Sequence, residues 1–158
     1  MDFAEIYNKV QHITQMNQAE AQKLYNCASF LPENAVIVEI GTYKGGSAAI
    51  MAAAIKGIVY TIDITNEDKT QDNIVFIKGK SEDVASAWDK PIDMLFIDGD
   101  HSCEAVLLDT LNWIPKVKDG GIICFHDYGS RLSVTATVNE ALSKRIGLPN
   151  HSLLTIIK

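Results

Sequence analysis

Short apolar runs recur along the chain, each closed by a glycine or a polar residue and followed by a stretch with helical spacing. Phe3, Ile6, Tyr7, Val10 and Ile13 fall on one helical face and predict a first helix from Asp2 to about Thr14. Asn17, with Glu20 three residues on, is a capping signal for a second helix that runs to about Phe30 and is stopped by Pro32. In Ala35–Ile40 the apolar residues Val36, Ile37, Val38 and Ile40 occupy both faces, as in a strand covered on both sides. Gly41 ends that strand. Gly46 to Lys56 is rich in helix formers, and Gly57 suits its C-terminal end.

The alternation then repeats. Strands are expected over Ile58–Ile62, Ile74–Ile77, Met94–Ile97, Ile122–Phe125 and Leu153–Ile157. Helices are expected over Ser81–Trp88, His101–Val117 and Ser133–Arg145, with a polar link from Asn66 to Asn73. Strands separated by helices predict a doubly wound, mainly parallel α/β sheet with helices on both faces and right-handed crossovers. No linker divides it, so residues 1–158 read as one domain, with N-terminal helices over 1–31 and an α/β core over 34–158. Trp88, Trp113, Phe30 and Tyr25 are expected to serve in packing.

Composition narrows the function. The 158 residues carry 14 Lys+Arg against 20 Asp+Glu, a net charge of −6, and no basic cluster offsets it locally. This disfavours a nucleic-acid partner and an anionic membrane surface. No apolar run approaches the roughly 20 residues of a spanning helix. The acidic opening Met1-Asp2-Phe3-Ala4-Glu5 is unlike a secretory leader, so a cytoplasmic protein is expected. Cys27, Cys103 and Cys124 are odd in number and widely spaced, which implies no disulfide framework.

In an open parallel sheet, ligands bind beyond the carboxyl ends of the strands. There the expected strands end in Glu39-Ile40-Gly41, Asp63, Gly79, Asp98-Gly99-Asp100-His101 and His126-Asp127. Capping of the following helices accounts for some of these residues, but folding alone does not require five carboxylates and two imidazoles on one rim. The first loop, Gly41-Thr42-Tyr43-Lys44-Gly45-Gly46-Ser47, carries Tyr43 where a dinucleotide loop has its second glycine. Glu39 before it opposes a pyrophosphate and favours a cationic ligand group. Asp63, 22 residues after Gly41, suits the hydroxyls of a ribose. An adenosine ligand with a positive remainder, S-adenosylmethionine, therefore fits better than NAD.

Val38–Ser47 resembles motif I of the class I S-adenosylmethionine-dependent methyltransferases. Phe96–Val106 and Gly120–Tyr128 are similar to a narrower group, the macrolide and aminocoumarin sugar O-methyltransferases, and the likeness spans about residues 34–158. The resemblance implies a Rossmann-like methyltransferase fold and O-methyl transfer to a small-molecule hydroxyl. It implies that Glu39, Gly41, Thr42 and Tyr43 surround the methionine part of the cofactor, with Gly46, Ser47 and Asp98 also among the cofactor-binding residues. Asp63 would hold the ribose, Ile64 would lie beside the adenine, and Ser81 and Glu82 at its edge. A divalent metal would be held by Asp98, His126 and Asp127, and Asp100 would be the base, with His101 beside it. An imidazole in place of a carboxylate makes manganese, iron or zinc as suitable as magnesium.

Class I methyltransferases usually finish with a two-strand hairpin. Here about twelve residues follow the last expected helix, so the C-terminal strand region is shortened. Substrate selectivity would then rest on the N-terminal helices, on the loop after Tyr128, where Arg131 lies, or on a second subunit of a homo-oligomer. Two other readings stay open: an NAD(P)-binding oxidoreductase, and a cofactor-binding subunit without catalysis.

Overall fold

The computed structural model describes residues 1–65, 72–142 and 153–158. Two helices lead into the sheet: α1 (Phe3–Val10), capped by Asp2, and α2 (Gln18–Ser29), which carries the Asn17/Glu20 capping box. There follow β1 (Val36–Ile40), α3 (Gly46–Ala54), β2 (Ile58–Asp63), β3 (Ile74–Lys78), α4 (Ser81–Ser86) and β4 (Ile92–Ile97). Then come α5 (Cys103–Trp113), a 3-10 turn (Ile114–Lys116), β5 (Val117–Phe125), α6 (Leu132–Leu142) and β6 (Leu154–Ile157).

The strands form one sheet in the order β3-β2-β1-β4-β5-β6. β1 to β5 pair in parallel, and β6 returns antiparallel to β5. This is the doubly wound, mainly parallel, Rossmann-like arrangement expected from the alternation of runs. All six residues of β4 are buried. Met94 and Phe96 pack towards α1, α2 and α3 through Leu24, Ile50 and Met51. Ile92, Leu95 and Ile97 pack towards the other layer with Trp113, Phe125 and Val138. A strand buried on both faces has no polar side to show, and that is why its run Met94–Ile97 is continuously apolar.

Boundaries depart from the expectations where backbone pairing outweighs side-chain pattern. α5 gives way to a 3-10 turn at Ile114-Pro115-Lys116, because Pro115 lacks the N–H that would continue the helix. β5 starts at Val117, earlier than its apolar run, with a register shift between its pairings to Ile92 and Met94 that accommodates Lys118-Asp119-Gly120. Phe30, expected to pack, is 85% exposed, whereas Trp113 is fully buried. Trp88 and Tyr25 pack as expected, Trp88 on Tyr60 and Trp113, and Tyr25 on Phe3. The end of the last expected helix, residues 143–145, and most of the Asn66–Asn73 link lie outside the described residues. No described helix is long and apolar enough to cross a membrane.

Candidate active site

The strand order reverses between β1 and β4, and such a switch point opens a crevice at the carboxyl ends of the strands. A cavity of about 780 Å³ lies there. Its floor is the turn after β1 with Gly41, Thr42, Tyr43, Gly46 and Ser47; one wall is Asp63 and Ile64 after β2. Ser81 and Glu82 at the start of α4 close one end, and Asp98, Asp100 and His101 after β4 the other side. The α1–α2 connection, Ile13 to Met16, covers it. Of the thirteen residues expected to bind cofactor or act in catalysis, every one except Glu39 borders this space.

Gly41 shows why the turn can be so tight. Its φ is +92°, and a β-carbon there would lie 2.1 Å from the carbonyl oxygen of Asp98. Asp63 then fixes the turn from β2: Oδ2 accepts the backbone N–H groups of Thr42 (2.9 Å) and Tyr43 (3.1 Å), and Oδ1 those of the Thr65 backbone and hydroxyl (2.9 Å each). Burial pushes the Asp63 carboxyl up, and these donors together override it, leaving it below the ordinary carboxylate range.

Glu39 stands back from the cavity, contrary to the expected contact with the methionine part of a cofactor. It is fully buried. Ser47 Oγ donates to its Oε1 and Thr61 Oγ1 to its Oε2 (2.5 Å), while Thr61 and Thr42 share a further hydrogen bond (2.6 Å). Burial, aided by the nearby Asp98 and Asp63, pushes its pKa up to about 8 despite the two hydroxyl donors. Near pH 7 it is mainly a neutral acid. It reaches the cavity only through Ser47 and Thr42, which do line it.

The second cluster stands where β4 and β5 end side by side. Asp98, His101 and Asp127 each offer a ligand atom, and these atoms lie within 4.8 Å of one another. His101 Nε2 is 2.9 Å from Asp127 Oδ2 and 3.8 Å from Asp98 Oδ1. His126 Nδ1 is 3.1 Å from Asp98 Oδ1 and 3.6 Å from Asp127 Oδ2. Asp98, His126 and Asp127 are thus brought together as the sequence implied, and His101, expected beside the base, joins them. Burial pulls His126 down, but the Asp98, Asp127 and Glu20 carboxylates outweigh it and raise its pKa to about 8. Burial raises Asp127, while Ser130, His126, His101 and Arg131 bring it below its ordinary value.

Asp127 also takes φ +57°, uncommon for a residue with a β-carbon, which turns its carboxylate into the cluster. Arg131 serves that carboxylate rather than the cavity, its Nε donating to Oδ2 at 2.9 Å. Tyr128 is buried, its hydroxyl donating to Asn139 Oδ1 at 2.9 Å. Asp100 Oδ1 accepts the Ser102 N–H (2.7 Å) at the head of α5 while the residue borders the cavity.

A divalent ion fits this donor set. The Nε2 of His101 and both ring nitrogens of His126 are buried and make no hydrogen bond among the described residues, although carboxylate oxygens stand beside them. Unpaired buried nitrogens are costly, and an ion between Asp98, His101 and Asp127 would give His101 Nε2 its partner.

Asp109 is one of the cavity residues that sequence reasoning missed. It lies in the middle of α5 with no motif around it. Its signal was positional: it shares the inward stripe of Val106, Thr110 and Trp113, where a carboxylate is out of place.

Residues 38–128 match a methyltransferase-domain family, and the chain belongs to it. The fold is that of the class I S-adenosylmethionine-dependent methyltransferases. MycE of the mycinamycin pathway, solved with Mg, S-adenosylhomocysteine and mycinamycin VI, superposes with a TM-score of 0.78 at 16% identity, over 100% of this chain and 54% of MycE. An O-methyltransferase from Bacillus cereus, solved with S-adenosylhomocysteine, gives a TM-score of 0.72 at 14% identity, over 99% of this chain and 90% of that one. An uncharacterised protein of Acanthamoeba polyphaga mimivirus is 32% identical over 120 residues, 63% of this chain and 54% of the relative. The chain thus spans about half the length of the curated relative and of MycE.

Proposed function

We propose that the protein transfers the methyl group of S-adenosylmethionine to a hydroxyl of a small molecule, with a divalent ion held by Asp98, His101 and Asp127 and flanked by His126. The observation that carries this reading is the carboxylate–imidazole cluster, with its unpaired buried nitrogens, on the wall of a cavity whose glycine turn and Asp63 suit an adenosine ligand. Glycine turn and Asp63 would hold the methionine and ribose parts, and Ile64, Ser81 and Glu82 would meet the adenine.

A hydroxyl is a poor nucleophile until its proton is lowered in pKa, and a divalent ion supplies that effect when bound. Two carboxylates with imidazole suit manganese, iron or zinc as well as magnesium. Asp100 would take the hydroxyl proton. As the acceptor oxygen bonds to the methyl carbon, the carbon–sulfur bond breaks and S-adenosylhomocysteine is left. Beyond that the protein contributes alignment of nucleophile, methyl and sulfur. The N-terminal connection Ile13–Met16, which covers the cavity, would frame the acceptor. The net charge of −6 supports a free small molecule rather than nucleic acid as the methyl acceptor.

Calorimetric titration with S-adenosylhomocysteine and with NAD tests the cofactor, and turnover of a hydroxyl-acceptor panel with and without chelator tests the ion. Binding of S-adenosylhomocysteine but not NAD, with turnover lost on chelation and restored by manganese or magnesium, is expected. Preference for NAD would overturn the reading, and undiminished turnover in excess chelator would remove the ion from it.

A further inference from the structure

We infer that Cys27 and Cys124 form a reversible disulfide in the presence of a peroxide, a clasp that ties α2 to β5. The two thiols are far apart in the chain and meet in the fold, where the Cys124 thiol donates to Cys27. Both sulfurs also face one hydroxyl. Thr155 Oγ1, on β6 directly opposite Cys124, is 3.9 Å from Cys27 Sγ and 3.6 Å from Cys124 Sγ. The third thiol, Cys103, is exposed at the start of α5, a helix whose Val106 and Trp113 pack on the opposite face of the sheet.

Their surroundings divide the pair into an attacking and a resolving thiol. Cys27 is half-buried and within reach of solvent, whereas Cys124 is fully buried. The hydrogen that Cys124 donates lowers the Cys27 pKa below the ordinary thiol value against the pull of burial, and Thr155 and the Lys23 ammonium, one turn earlier on α2, add to it. Donation to Cys27, then burial, raise Cys124 well above that value. The thiolate is the form that a peroxide oxidises. The Cys27 thiolate attacks one peroxide oxygen: a sulfur–oxygen bond forms, the oxygen–oxygen bond breaks, and the departing hydroxide takes up a proton as water. The Cys124 sulfur then bonds to the Cys27 sulfur, and the sulfenic hydroxyl leaves with the Cys124 proton as a second water. Two electrons pass from the pair of sulfurs to the peroxide, and a dithiol reductant restores both thiols.

The thiols join two elements that already meet at the site. α2 carries Glu20 about two turns before Cys27, and β5 runs from Cys124 into Phe125, His126 and Asp127. Glu20 Oε2 stands 3.8 Å from His126 Nε2. Helix and strand are thus in register at the carboxylate–imidazole cluster and again at the sulfurs. α2 also follows directly on the Ile13–Met16 connection that covers the cavity. A covalent bond between Cys27 and Cys124 fixes α2 against the sheet and limits how far that cover can lift.

The test treats fully reduced wild-type protein with hydrogen peroxide and maps the products by peptide mass spectrometry without reductant. A Cys27–Cys124 peptide pair, joined with the loss of two hydrogens and separated again by a dithiol reductant, is expected. The oxidised protein is expected to melt at least about 5 °C higher, the scale for a disulfide that closes a long loop. Its amide hydrogens at Ile13–Met16 and along α2 should exchange more slowly. Cys27→Ser, at the half-buried position, should gain no stability from peroxide, and Cys124→Ala should leave Cys27 to oxidise without a partner. Thiols that stay reduced, a disulfide through Cys103, or Cys27 carried to sulfinic acid in wild type would each overturn the inference with no variant needed. A Cys27–Cys124 disulfide that leaves both melting and exchange unchanged would overturn the clasp.

Discussion

Two carboxylates at the ends of neighbouring strands do different work because their surroundings differ. Asp63 is ionised and holds the turn after β1 through two backbone N–H groups. Removing it leaves those donors without a partner, at a cost of about 1–3 kcal/mol. Asp63→Ala is therefore expected to weaken S-adenosylhomocysteine binding about tenfold or more, read by calorimetry on protein shown to be folded by its melting profile. Unchanged affinity would mean that the turn keeps its shape unaided. Glu39 is instead sealed between Ser47 and Thr61 and is mainly neutral at pH 7. Glu39→Gln keeps the shape and removes a charge that is mostly absent already. Its effect on binding at pH 7 is expected to stay within about threefold, less than one ordinary hydrogen bond. A loss of a hundredfold would show that the charge itself reaches the ligand. The sequence placed both residues at the rim, since both end apolar runs. It could not separate them, because which carboxylate faces the cavity depends on hydroxyls contributed by another strand and by α3.

At the scale of elements, the glycine turn and the end of β4 form one unit. The carbonyl of Asp98 occupies the space that a Gly41 β-carbon would need, and Gly41 already has a left-handed φ. Gly41→Ala combines that backbone penalty, about 1–2 kcal/mol, with overpacking of typically 1–3 kcal/mol. The expected outcome is a loss of at least about 2 kcal/mol in denaturant unfolding, together with displacement of Asp98 and loss of ion binding. A stable variant with intact ion binding would show that the two segments move independently. The strands were legible in the sequence because burial on both faces leaves a continuous apolar record, as in Met94-Leu95-Phe96-Ile97. The beginning of β5 was not, since Lys118, Asp119 and Gly120 are exposed and held by backbone pairing that leaves no side-chain pattern. The site was legible as a set of rim residues. The place of His101 in the cluster was not, because a residue four positions past the strand end is brought back by the turn geometry, which spacing alone does not specify.

For the whole molecule, the buried titrating groups set how stability responds to pH. Glu39 keeps its proton to about pH 8 in the fold, against a reference of 4.5; Asp109 to about 6, against 3.8; and His126 to about 8, against 6.5. In each window the folded state binds more protons than the unfolded chain, so stability falls as pH rises through it. Asp63 and Asp127 act in the opposite sense: their lowered values stabilise the fold above 3.8, and that contribution is lost as pH falls through their folded values. The ion-free protein is therefore expected to melt highest near about pH 4 and progressively lower towards pH 8.5. Glu39 spans the widest window, so Glu39→Gln should flatten most of that decline. Scanning calorimetry in chelator at intervals between pH 4 and 9 measures both. A melting temperature that rises from pH 5 to 8.5 would show that Glu39 and His126 do not hold their protons in the fold. An equally steep decline in Glu39→Gln would move the effect to Asp109 and His126. A divalent ion held by Asp98, His101 and Asp127 should oppose the trend set by the neighbouring His126, because imidazole ligands bind a metal only when unprotonated. Its stabilising effect is thus expected to grow from pH 6 to 8.5, and one that shrinks over that range would place the ion elsewhere.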